Sequence, residues 1–153
     1  MTLNVNQKAP NFILPNQNNE LVELKKLKTN IILFFYPKDN TPGCTKEAIS
    51  FSENMEKIRQ LGYKVFGISK DTIQKHQNFI EKQKLKVDLL SDNNGKTCED
   101  YKVWVEKSMY GRKYFGIERT TFLIDNKLTI IKIWNKVKVN NHVEDVINQI
   151  KNN

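Results

Sequence analysis

Cysteine is scarce in this chain: Cys44 and Cys98 are the only two in 153 residues. That excludes a disulfide-built secreted scaffold, which relies on several bridges. Histidine is equally scarce, with His76 and His142 alone. These four side chains, scattered along the sequence, spell out no Cys/His zinc motif, and no metal is expected. Six glycines and four prolines, with 10% aromatics, exclude a disordered or low-complexity chain. Long apolar runs are missing. The longest, Ile31 to Tyr36, has six residues, whereas a membrane-spanning helix needs about 20. Residues 1–11 carry no apolar core of signal-peptide length. The expectation is one domain over residues 1–153, cytoplasmic, off the membrane, with both cysteines as thiols.

Arginine is scarce as well. The formal charge of +8 comes from 22 Lys and only Arg59, Arg112 and Arg119, against 17 Asp and Glu. Asn occurs 19 times and Ala twice. Lys, Asn and Ile have AT-rich codons, so a biased genome supplies this balance without a polyanionic partner. The charge is read as composition spread over a solvated surface, and no nucleic acid is expected.

Strand and helix patterns interleave. Phe12 to Leu14 and Leu21 to Leu24 flank the turn-rich stretch Pro15 to Asn19, which predicts an N-terminal hairpin. Asn30 to Tyr36 does not alternate, so it reads as a strand buried on both faces. Thr45 to Leu61 has helical spacing and ends at Gly62. Lys64 to Ser69 is a strand, Thr72 to Lys84 a helix, and Val87 to Leu90 a short strand. Cys98 and Tyr101 belong to a short helix leading out through Val103 to Val105. Thr120 to Ile124 and Leu128 to Trp134 pair around Asp125 to Lys127, and Asn141 to Ile150 is the last helix. The pattern implies an α/β fold: a central mixed sheet with helices on both faces.

One stretch carries chemistry. A buried strand ends at Tyr36, a polar loop follows, and a helix starts with Thr41 as N-cap and Pro42 as first residue. Cys44 then lies in the first turn, where N–H groups lack helical partners and the dipole is positive. Cys44, Ala48, Phe51, Met55 and Ile58 share one stripe, so Cys44 faces the protein at the bottom of a pocket. A free thiol is only a few per cent thiolate at neutral pH, and making it mostly thiolate takes about 2.7 kcal/mol. A helix end supplies about 0.3–1 kcal/mol. A charge-assisted hydrogen bond supplies about 1.5–3 kcal/mol more. Arg119, just before a buried strand, is the candidate cation.

The pattern Pro37-x-x-x-Thr41-x-x-Cys44, with the distant Arg119, resembles the active-site signature of the peroxiredoxins. The fuller string YPKDNTPGCTKEA, with GISKD at 67–71 and RTTFLID at 119–125, is similar to the bacterioferritin comigratory protein or peroxiredoxin Q subfamily. The likeness spans nearly the whole chain. It implies a thioredoxin-like fold with an N-terminal hairpin, and reduction of hydrogen peroxide and organic hydroperoxides in antioxidant defence. It implies no cofactor, and electrons from thioredoxin, glutaredoxin or a small thiol. Carried over residue by residue, Cys44 is the peroxide-attacking thiol and Thr41 presents its hydroxyl. Pro37 shields the sulfenic acid, and Arg119 stabilises thiolate and leaving oxygen. Glu47 holds Arg119, with an exposed helix carboxylate as its other reading. Members of the subfamily tend to be monomers.

Position 49 departs from that pattern. Many members have a resolving cysteine there, and this chain has Ile49. Other members place it in the next helix, where this chain has Phe79 and Ile80. Only Cys98 remains, in an apolar context, and it is read as a structural thiol, with a resolving role as the alternative. The expectation is a one-cysteine mechanism. A dithiol oxidoreductase wants Cys-x-x-Cys, but position 47 is Glu. A cysteine phosphatase wants an early arginine, and a Cys–His hydrolase wants a base; His76 and His142 are expected on solvated helix faces. The other class of reading is a non-catalytic basic binding module, for which Lys102 to Tyr114 is the closest match. That segment is expected to be a loop beside the active site.

Overall fold

The non-alternating run at Asn30–Phe35 becomes the central strand. The computed structural model describes residues 2–152. In chain order the first elements are β1 (Ile13–Pro15), β2 (Leu21–Glu23), α1 (Leu24–Leu27), β3 (Asn30–Phe35), α2 (Pro42–Glu53), α3 (Met55–Gln60) and β4 (Tyr63–Ser69). Then come α4 (Ile73–Gln83), β5 (Asp88–Ser91), α5 (Lys96–Asp100), β6 (Trp104–Met109), β7 (Arg112–Ile117), β8 (Thr120–Ile124), β9 (Ile130–Trp134) and α6 (His142–Lys151). The main sheet has the order β5-β4-β3-β8-β9. Strands β3, β4 and β5 are parallel, whereas β8 runs antiparallel to β3 and β9 antiparallel to β8. A mixed sheet follows from connection length: helices bridge the parallel strands, and a short turn joins β8 to β9.

Alternation along β3 divides the interior in two. Ile32 and Phe34 face a core with Cys44, Ala48 and Phe51 of α2, Phe79 of α4, and Val143, Val146 and Ile147 of α6. Ile31, Leu33 and Phe35 face a second core with Phe12, Leu14, Leu24, Cys98, Tyr101 and Ile117. The N-terminal hairpin, α1, α5 and the start of the β6–β7 hairpin therefore cover the face opposite α2. Phe34 stacks on Phe51 at 4.6 Å between ring centroids, which seats α2 on the sheet.

The elements depart from the sequence reading in several places, and Leu24, read as the end of a strand, opens the short helix α1. The helix read through Leu61 breaks at Asn54, whose side-chain amide donates to the Ser50 carbonyl at 2.8 Å and competes with the helical ladder. Strand β9 starts at Ile130, because Leu128 has φ 68° and the Asp125 carboxylate accepts from the Lys127 and Thr129 N–H groups. The segment expected as a loop packed beside the active site is the β6–β7 hairpin. It turns through Tyr110 (φ 52°) and Gly111 (φ 79°), the pair of positive angles of a tight hairpin turn. Its tip is exposed, with Tyr110 fully in solvent. His76 and His142, expected on solvated helix faces, are both buried. His76 shares its helix face with Phe79 and Ile80, and His142 shares one with Val146 and Ile150, so helical spacing carries both inward.

Gly67 makes the space that Phe34 fills. A Cβ there would lie 2.7 Å from the Phe34 ring and 2.8 Å from Leu89 Cδ2. Gly67→Ala is expected to lower stability by about 1–3 kcal/mol through overpacking. Urea unfolding checks this; an unchanged midpoint would contradict the account of how α2 is seated.

Candidate active site

The backbone enters α2 as the sequence predicts. Thr41 is extended (φ −90°, ψ 153°), and Pro42 is the first helical residue. The Thr45 N–H donates to the Thr41 carbonyl at 2.8 Å. The N–H groups of Gly43 and Cys44 come before that bond and point toward the helix entrance. The Thr41 hydroxyl does not cap the helix; it donates to the Lys38 carbonyl at 2.8 Å. Pro37 opens the same loop and is half-buried.

Strand direction explains how Arg119 arrives. Strand β8 is antiparallel to β3, with Thr120 opposite Phe35. Its first residues therefore lie level with the end of β3, where α2 begins. Arg119 Nη2 donates to Cys44 Sγ at 3.3 Å, and Nη1 donates to Glu47 Oε1 at 2.8 Å. One planar fork thus holds the thiol and the carboxylate, which lysine, with a single nitrogen, could not do in the same geometry. Gly43 leaves room for it: a Cβ there would be 3.2 Å from Arg119 Nη2.

Burial sharpens the electrostatics. Cys44 is 1% exposed and Glu47 is 0% exposed. The thiol is closed in, where the sequence reading had it at the bottom of a pocket. Burial raises the Glu47 carboxyl to about 7, with the Arg119 charge and hydrogen bond pulling it partway back. Glu47 Oε2 has no hydrogen-bond partner among the described residues. Burial works against the Arg119 charge, but Glu47 and Cys44 outweigh it and lift the guanidinium above its ordinary value. Behind this site, His142 Nε2 lies 2.8 Å from Thr121 Oγ1. Burial drops His142 to about 4, so it is neutral at physiological pH.

Cys98 is not brought to Cys44. It sits in the other core, across the sheet. Burial and the Asp92 carboxylate push its thiol well above the ordinary range, which makes it a poor nucleophile. Both cysteines are free.

The sequence reading missed a polar cluster beside the α2 entrance, built from Tyr36, Asp39, Asp71 and His76. Its signals were Asp39 inside the motif and His76 on the apolar face of α4. Asp39, Asp71 and His76 are the one group among the described residues with three metal-ligand atoms within 4.8 Å of each other. Each side chain already takes part in a hydrogen bond that ties the loop down.

A profile of the AhpC/TSA family matches residues 5–133. The chain is 48% identical to a putative peroxiredoxin bcp of Coxiella burnetii over 151 residues, 98% of this chain and 100% of the relative. A solved variant of Xylella fastidiosa PrxQ superposes with a TM-score of 0.94 at 33% identity, covering 99% of this chain and 98% of that one. The bacterioferritin comigratory protein of Xanthomonas campestris, studied for alkyl peroxide reduction, superposes with a TM-score of 0.87 at 34% identity, covering 92% and 90%. A family match over most of the length, a thioredoxin-like peroxiredoxin fold and these relatives together establish that the chain belongs to the AhpC/TSA family, among the peroxiredoxins of the Bcp or peroxiredoxin Q type.

Proposed function

We propose that Cys44 is the peroxide-attacking thiol of this peroxiredoxin, a thiol peroxidase, and that it works by a one-cysteine cycle. The observation that carries the reading is the Arg119 fork between Cys44 Sγ and Glu47 at a helix entrance. The guanidinium donates to the sulfur, and the N–H groups of the first turn lie at the same helix end. The thiolate attacks one oxygen of hydrogen peroxide or an alkyl hydroperoxide. A sulfur–oxygen bond forms, the oxygen–oxygen bond breaks, and the leaving oxygen takes a proton to depart as water or alcohol. Arg119 and the free N–H groups of the first turn stabilise the charge on that oxygen. Thr41, with its proton committed to Lys38, keeps lone pairs that can accept from the peroxide O–H. Pro37 shields the sulfenic acid from water.

An external thiol then attacks Cys44 Sγ, releasing water and leaving a mixed disulfide. A second thiol frees Cys44 and carries away the disulfide. The donor is thioredoxin, glutaredoxin or a small thiol. Cys98, high in pKa and across the sheet, stays out of the cycle. The same reading takes the chain as a monomer acting in the cytoplasm, where thiols are kept reduced.

Three measurements check this. Treating the protein with hydrogen peroxide and a sulfenic-acid trap should place the adduct on Cys44; an unmodified Cys44 with peroxide still present would sink the reading. Arg119→Ala, made together with Glu47→Gln so that no lone carboxylate is buried, should slow Cys44 oxidation roughly 10- to 100-fold relative to Glu47→Gln alone. Equal rates would remove Arg119 from the chemistry.

The third concerns pH. The folded-state pKa of Glu47 is raised to about 7 by burial. Its contribution to stability is therefore fully present below the ordinary carboxylate range and is lost as pH rises toward 7. Glu47→Gln lacks this loss. Its stability relative to wild type should rise by about 1–3 kcal/mol between pH 5 and pH 7.5 in urea unfolding. A difference that stays flat with pH would contradict a buried, proton-holding Glu47.

A further inference from the structure

The loop between β3 and α2 is pinned by a buried polar cluster separate from Arg119 and Glu47. Asp39 is 6% exposed and His76 is 0% exposed. Lys38 and Asn40, on either side of Asp39, are exposed. Asp39 is thus the point at which the loop dips into the protein.

The proton positions follow from the partners. His76 Nε2 lies 3.1 Å from the Leu90 carbonyl oxygen. A carbonyl only accepts, so Nε2 carries a proton. His76 Nδ1 lies 2.6 Å from Asp39 Oδ2, a separation that needs one proton between the two atoms. The Tyr36 hydroxyl donates to Asp39 Oδ1 at 2.5 Å. The Asp39 N–H donates to Asp71 Oδ2 at 2.8 Å, and the same oxygen accepts from Ser69 Oγ at 2.8 Å. One loop residue is therefore tied to α4 and to the ends of β3 and β4, and through His76 to β5. Two residues later stands Thr41, whose carbonyl takes the first bond of the Cys44 helix.

We propose that the Asp39–His76 pair is a positioning device for the peroxide step: it holds the loop from 37 to 41, and with it the entrance of α2, in the geometry where Cys44 meets Arg119. The proposal rests on the reading of Cys44 as the reactive thiol. Asp39 and His76 form no bond to Cys44 Sγ and act through the loop alone. The loop runs directly into the turn that holds Cys44, so the pair also sets how readily the closed-in thiol is uncovered.

Positioning and plain stability are separated by the sign of two rates in the folded protein. In a Cys98→Ser background, Asp39→Ala should slow the oxidation of Cys44 by hydrogen peroxide about tenfold or more. The same variant should speed the reaction of Cys44 with a bulky aromatic disulfide reagent. A merely structural role gives no such opposite shift below the unfolding transition. Asp39→Asn keeps an acceptor for Tyr36 and offers an N–H to the Nδ1 lone pair of neutral His76, so it should restore both rates close to wild type. Tyr36→Phe strips one bond from Asp39 without burying a new charge, and carries the test by the same opposite shift if Asp39→Ala does not fold. Unchanged rates, or two rates falling together, overturn the proposal. A wild-type Cys44 that does not react with peroxide at all overturns the reading beneath it, which distinguishes the two failures.

Discussion

The contact between Arg119 Nη2 and Cys44 Sγ, 3.3 Å long, is the constraint that organises the molecule. It brings together residues 75 positions apart. Three separate structural facts make it. The reversal of β8 against β3 puts the start of β8 at the helix entrance. Gly43 leaves the guanidinium its approach. Glu47, one turn along α2, holds the other arm of the fork. Removing any one would leave a cation near a thiol without a defined geometry.

The sheet also serves as a partition. Because side chains alternate along β3, the protein has two cores, and each receives one cysteine. The same alternation that packs the fold therefore separates the two sulfurs. Their surroundings differ as well. Both are buried, but Cys44 has an arginine within hydrogen-bond reach, whereas Cys98 has the Asp92 carboxylate, which adds to burial in opposing a thiolate. Glu47 shows the cost of the active arrangement. It is a fully buried carboxyl with one oxygen lacking a partner among the described residues, kept where it steadies Arg119.

Much of this was legible in the sequence, for reasons that differ by element. The buried central strand and the α2 entrance carry short-range signals: a run without alternation, then Pro42 at a first helical position. The placement of Arg119 and Glu47 beside Cys44 was legible through the resemblance of the motif and of the segment beginning at Arg119. The β6–β7 hairpin was not, because its strands are largely exposed and lack apolar alternation, and because Tyr110 is an unusual residue for a positive φ. The two histidines were misplaced because polarity was weighed above helical spacing, which set both on inward faces. The Asp39 cluster depends on contacts between four segments, and no local pattern reports those.

The central claim is that a single thiol, Cys44, carries the peroxidase cycle with electrons from outside. The most direct measurement is steady-state peroxide consumption with excess external thiol, comparing Cys98→Ser and Cys44→Ser. Full turnover is expected in the first and none in the second. Loss of turnover in Cys98→Ser, in a folded protein, would contradict it.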